Sequence, residues 1–176
     1  MAVMPLSDSS SMHLMRAESP GPSVGKLVPK VKTTAMILYG IYVVFTVIEI
    51  IALLIAGMPL FDSMTLTFGT VGTGGFGLLN SSIASYSTAV QIIITVFMII
   101  CSINFTVYYM FLIKRPKEAL MCEEMRYYLL IVFGSALLIA FNIRASFASF
   151  GKAFQQAIFQ VASVISTTGF ATADFN

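Results

Sequence analysis

"GTVGTGGFG", residues Gly69 to Gly77, places five glycines in nine positions. Within it, Gly72-Thr73-Gly74-Gly75-Phe76-Gly77 satisfies the G-x-G-x-x-G pattern of a dinucleotide-binding turn. Such a turn follows a strand, opens a helix and has an acidic residue about 20 positions later. Around position 97 the chain reads "TVFMII" instead, with no acid. The nucleotide reading lacks its context. Glycines serving only close helix packing would be spaced along a helix, whereas these crowd into one turn together with threonines.

The surroundings of the loop are apolar. Of 176 residues, 57% are hydrophobic and only 10% charged, too little polar surface for a soluble domain of this size. An integral membrane protein follows. The net charge of +2 gives a nucleic-acid partner no electrostatic footing. Cys101 and Cys122 have no paired spacing and read as free thiols, and His13, in a Ser-rich polar stretch, has no evident role.

Outward from the loop, three apolar runs are long enough to cross lipid: a span over 35–57, a longer one over 87–113 and a minimal one over 125–143. At 1.5 Å per residue the first reaches roughly 34 Å. Two shorter segments, 61–71 and 153–165, are about three helical turns each and cannot cross. Each ends in a glycine- and threonine-rich loop, "TVGTGGFG" and "STTGFATADFN". Setting Phe76 on Phe170 also sets Gly75 on Gly169 and Thr73 on Thr167. The order span, short helix, loop, span therefore begins again: an all-α membrane fold with one complete repeat and a second lacking its last span.

Charge orients the chain. Arg16, Lys26, Lys30, Lys32, Lys114, Arg115, Lys117 and Arg126 flank one side, and only Arg144 and Lys152 the other. The positive-inside rule puts the 1–34 segment and the 114–124 loop in the cytoplasm and both glycine loops outside. Six of the seven tyrosines, Tyr39, Tyr42, Tyr108, Tyr109, Tyr127 and Tyr128, fall near the same cytoplasmic interface; Tyr86 marks the outer one.

Irregular backbone at membrane depth is tolerated only inside protein or along a wet path. Carbonyls turned into such a path can replace a cation's hydration shell, and glycine permits the required backbone angles. The short helix before each loop points the negative end of its dipole at it, favouring a cation. Thr70-Val71-Gly72-Thr73-Gly74 is one residue away from the T-V-G-Y-G of potassium-channel filters. A register anchored there shifts the lining by about two residues; the register anchored on Phe76 also matches the second loop.

With "TVGTGGFG", "STTGFATADFN" and the N-terminal "MPLSDSSSMHLMRAESPGP", this plan resembles the Trk/Ktr/HKT superfamily, in particular its bacterial Trk-type potassium uptake subunits. The resemblance implies a pore of four non-identical repeats, with span 35–57, pore helix 61–71, filter 72–76 and span 87–113 as the second. The third is then span 125–143, pore helix 153–165 and filter 166–170. It implies K+ coordination at Gly72, Thr73, Gly74, Gly75 and Phe76, and at Ser166, Thr167, Thr168, Gly169 and Phe170. It also implies an inner-membrane homodimer, a cytoplasmic nucleotide-binding regulatory subunit, no bound cofactor and no covalent chemistry. The first and fourth repeats are missing, so the chain is expected to be a fragment, with a non-conducting membrane piece as the alternative to a transporter.

Several polar residues invite separate expectations. Glu49, past the middle of the first span and with Thr46 one turn away, is expected to bond a pore helix, ahead of an accessory ion site. Asp62 is expected to N-cap the first pore helix. Asp174 would either raise cation concentration at the outer mouth or form a turn. Gln91, Ser102 and Asn104 are expected to bond neighbouring helices, and Lys114-Arg115-Pro116-Lys117 to act as a cytoplasmic anchor.

Overall fold

Gly57, with φ +86°, stops the first helix and turns the chain back. Met58 N–H donates to Leu53 O at 3.1 Å and Gly57 N–H to Leu54 O at 3.0 Å, the paired bonds of a Schellman stop. The computed structural model describes residues 31–112, 122–147 and 149–172. The expectations for residues 1–30, for Lys114 to Lys117 and for Asp174 lie outside the described residues. The helices, in order, are α1 (Val31–Ile55), α2 (Leu60–Val71), α3 (Thr88–Cys101), α4 (Phe105–Leu112), α5 (Glu123–Ile143) and α6 (Phe150–Ile165). A 3₁₀ turn, Arg144–Ser146, follows α5. Among the described residues there is no strand. Among the described residues two helices, Ala35–Ile55 within α1 and Glu123–Ile143, are long and apolar enough to cross a membrane.

The expected single span over 87–113 is broken. Ser102 Oγ donates to Met98 O at 2.7 Å, and Ile103 N–H takes Ile100 O at 3.0 Å, a tighter 3₁₀ bond. Ser back-bonding of this kind loosens the helical ladder. The Ile99 carbonyl, bypassed by Ile103, accepts the Tyr128 hydroxyl at 3.1 Å instead. α3 alone, 14 residues, rises only about 21 Å and is too short to cross.

Residue contacts divide the chain into two units that cut across the expected repeats. Among the described residues, one holds 31–44, 104–112 and 122–125; in it Asn104 Nδ2 donates to Glu124 Oε2 at 3.2 Å. The other holds 45–103, 126–147 and 149–172 and contains both glycine loops. There α3 is the central element. Its Val90, Ile94 and Met98 are buried with Leu66 of α2 and Phe159 and Ala162 of α6. Leu53, Met58, Ile83 and Phe170 complete this core. A second cluster joins Val132 and Ala136 of α5 to Val161 of α6.

Both short helices start earlier than the sequence suggests. Pro59, not Asp62, stands at the N-cap of α2; it makes no side-chain cap bond, and its carbonyl takes Ser63 N–H at 2.9 Å in the first turn. Asp62 sits inside that turn, where its Oδ2 accepts the Tyr86 hydroxyl at 3.2 Å. α6 starts at Phe150 because Ser149 Oγ accepts Gly151 N–H at 3.4 Å.

Candidate functional site: two converging glycine loops

The loops after α2 and α6 share one backbone design. Gly72 N–H donates to Phe68 O, Thr73 N–H to Thr70 O and Gly75 N–H to Gly69 O. The corresponding bonds after α6 are Ser166 to Ala162 O, Thr167 to Val164 O and Gly169 to Ser163 O. Thr73 and Thr167 are left-handed, at φ +50° and +58°, as are Gly75 and Gly169, at +65° and +81°. Left-handed threonine is strained for an L-residue, and the strain recurs at the same place in both loops. Thus Thr73 corresponds to Thr167 and Gly75 to Gly169.

The loops also meet. A Cβ on Gly75 would lie 1.8 Å from the Thr168 carbonyl oxygen, an impossible contact, so only glycine lets these two backbones touch. Gly69 is crowded from both loops: its Cβ would lie 2.9 Å from Phe76 O and 3.1 Å from the Phe170 ring. No donor among the described residues takes up the carbonyls of Thr73, Gly74, Gly75, Thr167, Thr168 or Gly169. Both helices aim their C-terminal, partially negative ends at these loops, with no basic residue in either last turn. A cluster of backbone oxygens with lone pairs free, at the negative ends of two helices, can coordinate a cation and repel an anion.

The expected site residues are not equivalent in their surroundings. Phe76 is 77% exposed, whereas Phe170 is 1% exposed and belongs to the core. The Phe170 carbonyl accepts Ser163 Oγ at 2.6 Å, which takes it out of the set of unused oxygens. Ser166 and Thr168 are buried and bonded to each other, Oγ to Oγ1, at 2.7 Å. Their side chains therefore brace the second loop from behind.

Glu49 is fully buried, but the bond expected to a pore helix is not formed. Neither carboxyl oxygen has a hydrogen-bond partner among the described residues. The Thr70 side chain is its polar neighbour, yet that hydroxyl donates to Leu66 O at 2.8 Å.

Sequence reasoning missed two serines. Ser82, left-handed at φ +52°, accepts Ala171 N–H on its Oγ at 3.1 Å, and Ile83 N–H donates to Ala171 O at 3.0 Å. These bonds clasp the second loop to the stretch after the first, while Ser163 on Phe170 ties that loop back to its own helix, α6. Nothing in "NSS" marks Ser82, whose partner lies 89 residues away, and Ser163 in "VASVIS" meets Phe170, seven residues on, only because the loop turns back. Gln91 was marked, and it does bridge: its Nε2 donates to Ile83 O and Tyr86 O, and its Oε1 accepts Gln155 Nε2 at 3.3 Å. Partial burial, the bond to Asp62 and the charge of Asp62 all push the Tyr86 hydroxyl above the usual tyrosine range.

The sequence profile of the TrkH family, described as cation transport proteins, matches residues 1–176. The chain belongs to the TrkH family. It is 33% identical over 182 residues to the Trk system potassium uptake protein TrkH of Vibrio parahaemolyticus, covering 99% of this chain and 37% of that protein. With the TrkH protein of Salmonella typhimurium it shares 34% over 179 residues, 97% of this chain and 36% of the relative. The crystal structure of the potassium transporter TrkH from Vibrio parahaemolyticus superposes with a TM-score of 0.80 at 30% identity, over 92% of this chain and 36% of the other. This TrkH-family chain thus spans a little over a third of the length of the relatives it matches.

Proposed function

We propose that this chain supplies two of the filter loops of a transmembrane potassium transporter. The observation that carries the reading is the contact of Gly75 with the Thr168 carbonyl between two loops of one backbone design, with their remaining carbonyls unused. The coordinating set is the carbonyls of Gly72, Thr73, Gly74, Gly75 and Phe76 and of Ser166, Thr167, Thr168 and Gly169. Burial and the Ser163 bond exclude Phe170 from it, and it serves as a packing anchor. Dehydrated K+ exchanges water for these oxygens, and no covalent step is needed. The relatives' names support K+ as the cargo, and the eight-to-two split of basic residues supports outward-facing loops in a bacterial inner membrane. A homodimer and a cytoplasmic nucleotide-binding partner belong to the same reading of the full-length protein.

The exposure of Phe76 favours a second statement about this stretch taken alone. Phe170 is sealed against α2 beside Gly69, whereas Phe76 has no such socket within the described residues. This second reading is the non-conducting membrane piece, with the socket for Phe76 left to other protein.

Potassium-limited growth of an uptake-deficient bacterium tests both. The full-length protein should restore growth and lose that ability on Gly75→Ser, with the variant still present in the membrane. This stretch alone should insert and fail to rescue. Rescue unaffected by Gly75→Ser would remove the filter reading.

A further inference from the structure

Ser82 lies outside both glycine loops, yet it is bonded to one and stands against the other. Its Oγ accepts Ala171 N–H at 3.1 Å, and the next residue, Ile83, donates its N–H to Ala171 O at 3.0 Å. The Phe170 carbonyl, in the same peptide plane as Ala171 N–H, accepts Ser163 Oγ at 2.6 Å. The peptide that leaves the second loop is thus held at both edges, from α6 and from Ser82. At the exit of the first loop, a Cβ on Gly77 would lie 4.0 Å from the Ser82 Cα. Ile83 makes the anchor firm, because it is fully buried in the core with Leu66 of α2 and Phe159 of α6. Ser82 itself is left-handed, at φ +52°, a conformation that glycine or asparagine adopts more readily. Strain of that kind persists where the surroundings impose it, and here the bond it serves is the one to Ala171. The contact of Gly75 with the Thr168 carbonyl sets only how near the loops can come. Among the described residues, the bonds at Ala171 are the only hydrogen bonds that keep the second loop from parting from the chain between α2 and α3.

We propose that Ser82 is a positioning residue for cation selectivity. By holding Ala171 it fixes the second loop against the first, and so the spacing between the carbonyls of Thr73 to Gly75 and those of Thr167 to Gly169. That spacing bears on how well a ring of oxygens suits K+ over the smaller Na+. Ser82 acts through the backbone and does not touch the ion. This role rests on the filter reading above.

The test uses the full-length protein in membranes, with K+ and Na+ uptake and hydrogen exchange of the peptide containing Ala171 measured on the same variants. Ser82→Gly removes the acceptor and relieves the left-handed backbone, so its two effects on stability oppose each other. It should reach parental levels in the membrane and open Ala171 to exchange. It should also lower the K+ over Na+ preference about tenfold, the scale of one neutral hydrogen bond. Ser82→Asn keeps a side-chain acceptor on a residue that tolerates this backbone, and should hold the preference within about threefold of the parent. Parental preference in Ser82→Gly, or Ser82→Asn as damaging as Ser82→Gly, overturns the proposal. Should Ser82→Gly fail to accumulate, Ser82→Ala decides by the same two measurements. Unchanged exchange at Ala171 in Ser82→Gly also overturns it, because the bond would then not be holding the loop. Gly75→Ser, run alongside, tells the two readings apart. If it leaves uptake intact while Ala171 opens in Ser82→Gly, the filter reading falls and Ser82 is left as a packing residue.

Discussion

Gly75 and Gly169 occupy matching positions and are both left-handed, but they answer to different constraints. Gly75 has the Thr168 carbonyl where a side chain would go, and Gly169 has nothing within 4 Å. Alanine at 169 meets only the conformational cost, about 1–2 kcal/mol for an L-residue in this region. Alanine at 75 meets that cost and a backbone collision as well. In the full-length protein, Gly75→Ala is expected to cut potassium uptake well beyond tenfold and Gly169→Ala by about tenfold or less. Equal losses in a rubidium or potassium uptake assay would contradict this geometry. The sequence marked both glycines as equal, since glycine there signals permissive backbone in either case. Which of the two also makes room for a neighbour depends on a residue more than 90 positions away.

The ends of the helices are set by short-range chemistry written in the residues, although the starts expected at 61 and 153 fell short of it. Gly57 followed by Pro59 writes a stop and a restart, and Ser87 and Ser149 sit where N-caps belong. The break after Cys101 could not be read, because Ser102 inside an apolar run is compatible with an unbroken helix; the break needs Tyr128 to take up the Ile99 carbonyl. Tyr86 likewise finds Asp62 only in the fold, and ties the segment before α3 to the first turn of α2. The folded environment raises the Tyr86 hydroxyl above its unfolded value. The contribution of this contact is therefore intact at neutral pH and is lost as pH climbs through the folded value. Tyr86→Phe should cost about 1 kcal/mol near pH 7, and the difference from the parent should close above about pH 10. Unfolding in detergent across that range measures both, and a gap that persists in alkali would refute the assignment.

At the scale of the whole molecule, burial is uneven in a way that lipid and further protein would explain. Val47, Ile48, Ile51 and Leu54 of α1 and Leu130, Leu137, Leu138 and Phe141 of α5 are exposed, as suits helices facing hydrocarbon. Phe76 is exposed for another reason, at a loop whose counterpart in the second repeat is sealed. Phe170→Ala should destabilise this chain by about 3–5 kcal/mol, the usual figure for emptying a buried phenylalanine site. Phe76→Ala in the same chain should fall within about 0.5 kcal/mol of the parent. Thermal unfolding in one detergent compares them, and similar losses would mean that Phe76 already has a socket. The sequence by itself determined the membrane class, the two glycine loops and their alignment with each other, because composition, helix length and backbone permissiveness are local properties. Only the tertiary structure decided that the loops touch at Gly75, that Phe170 is core while Phe76 is not, and that Ser82 holds Ala171. Each of those facts is a contact between distant segments, and close packing, which no single segment encodes, chooses among them.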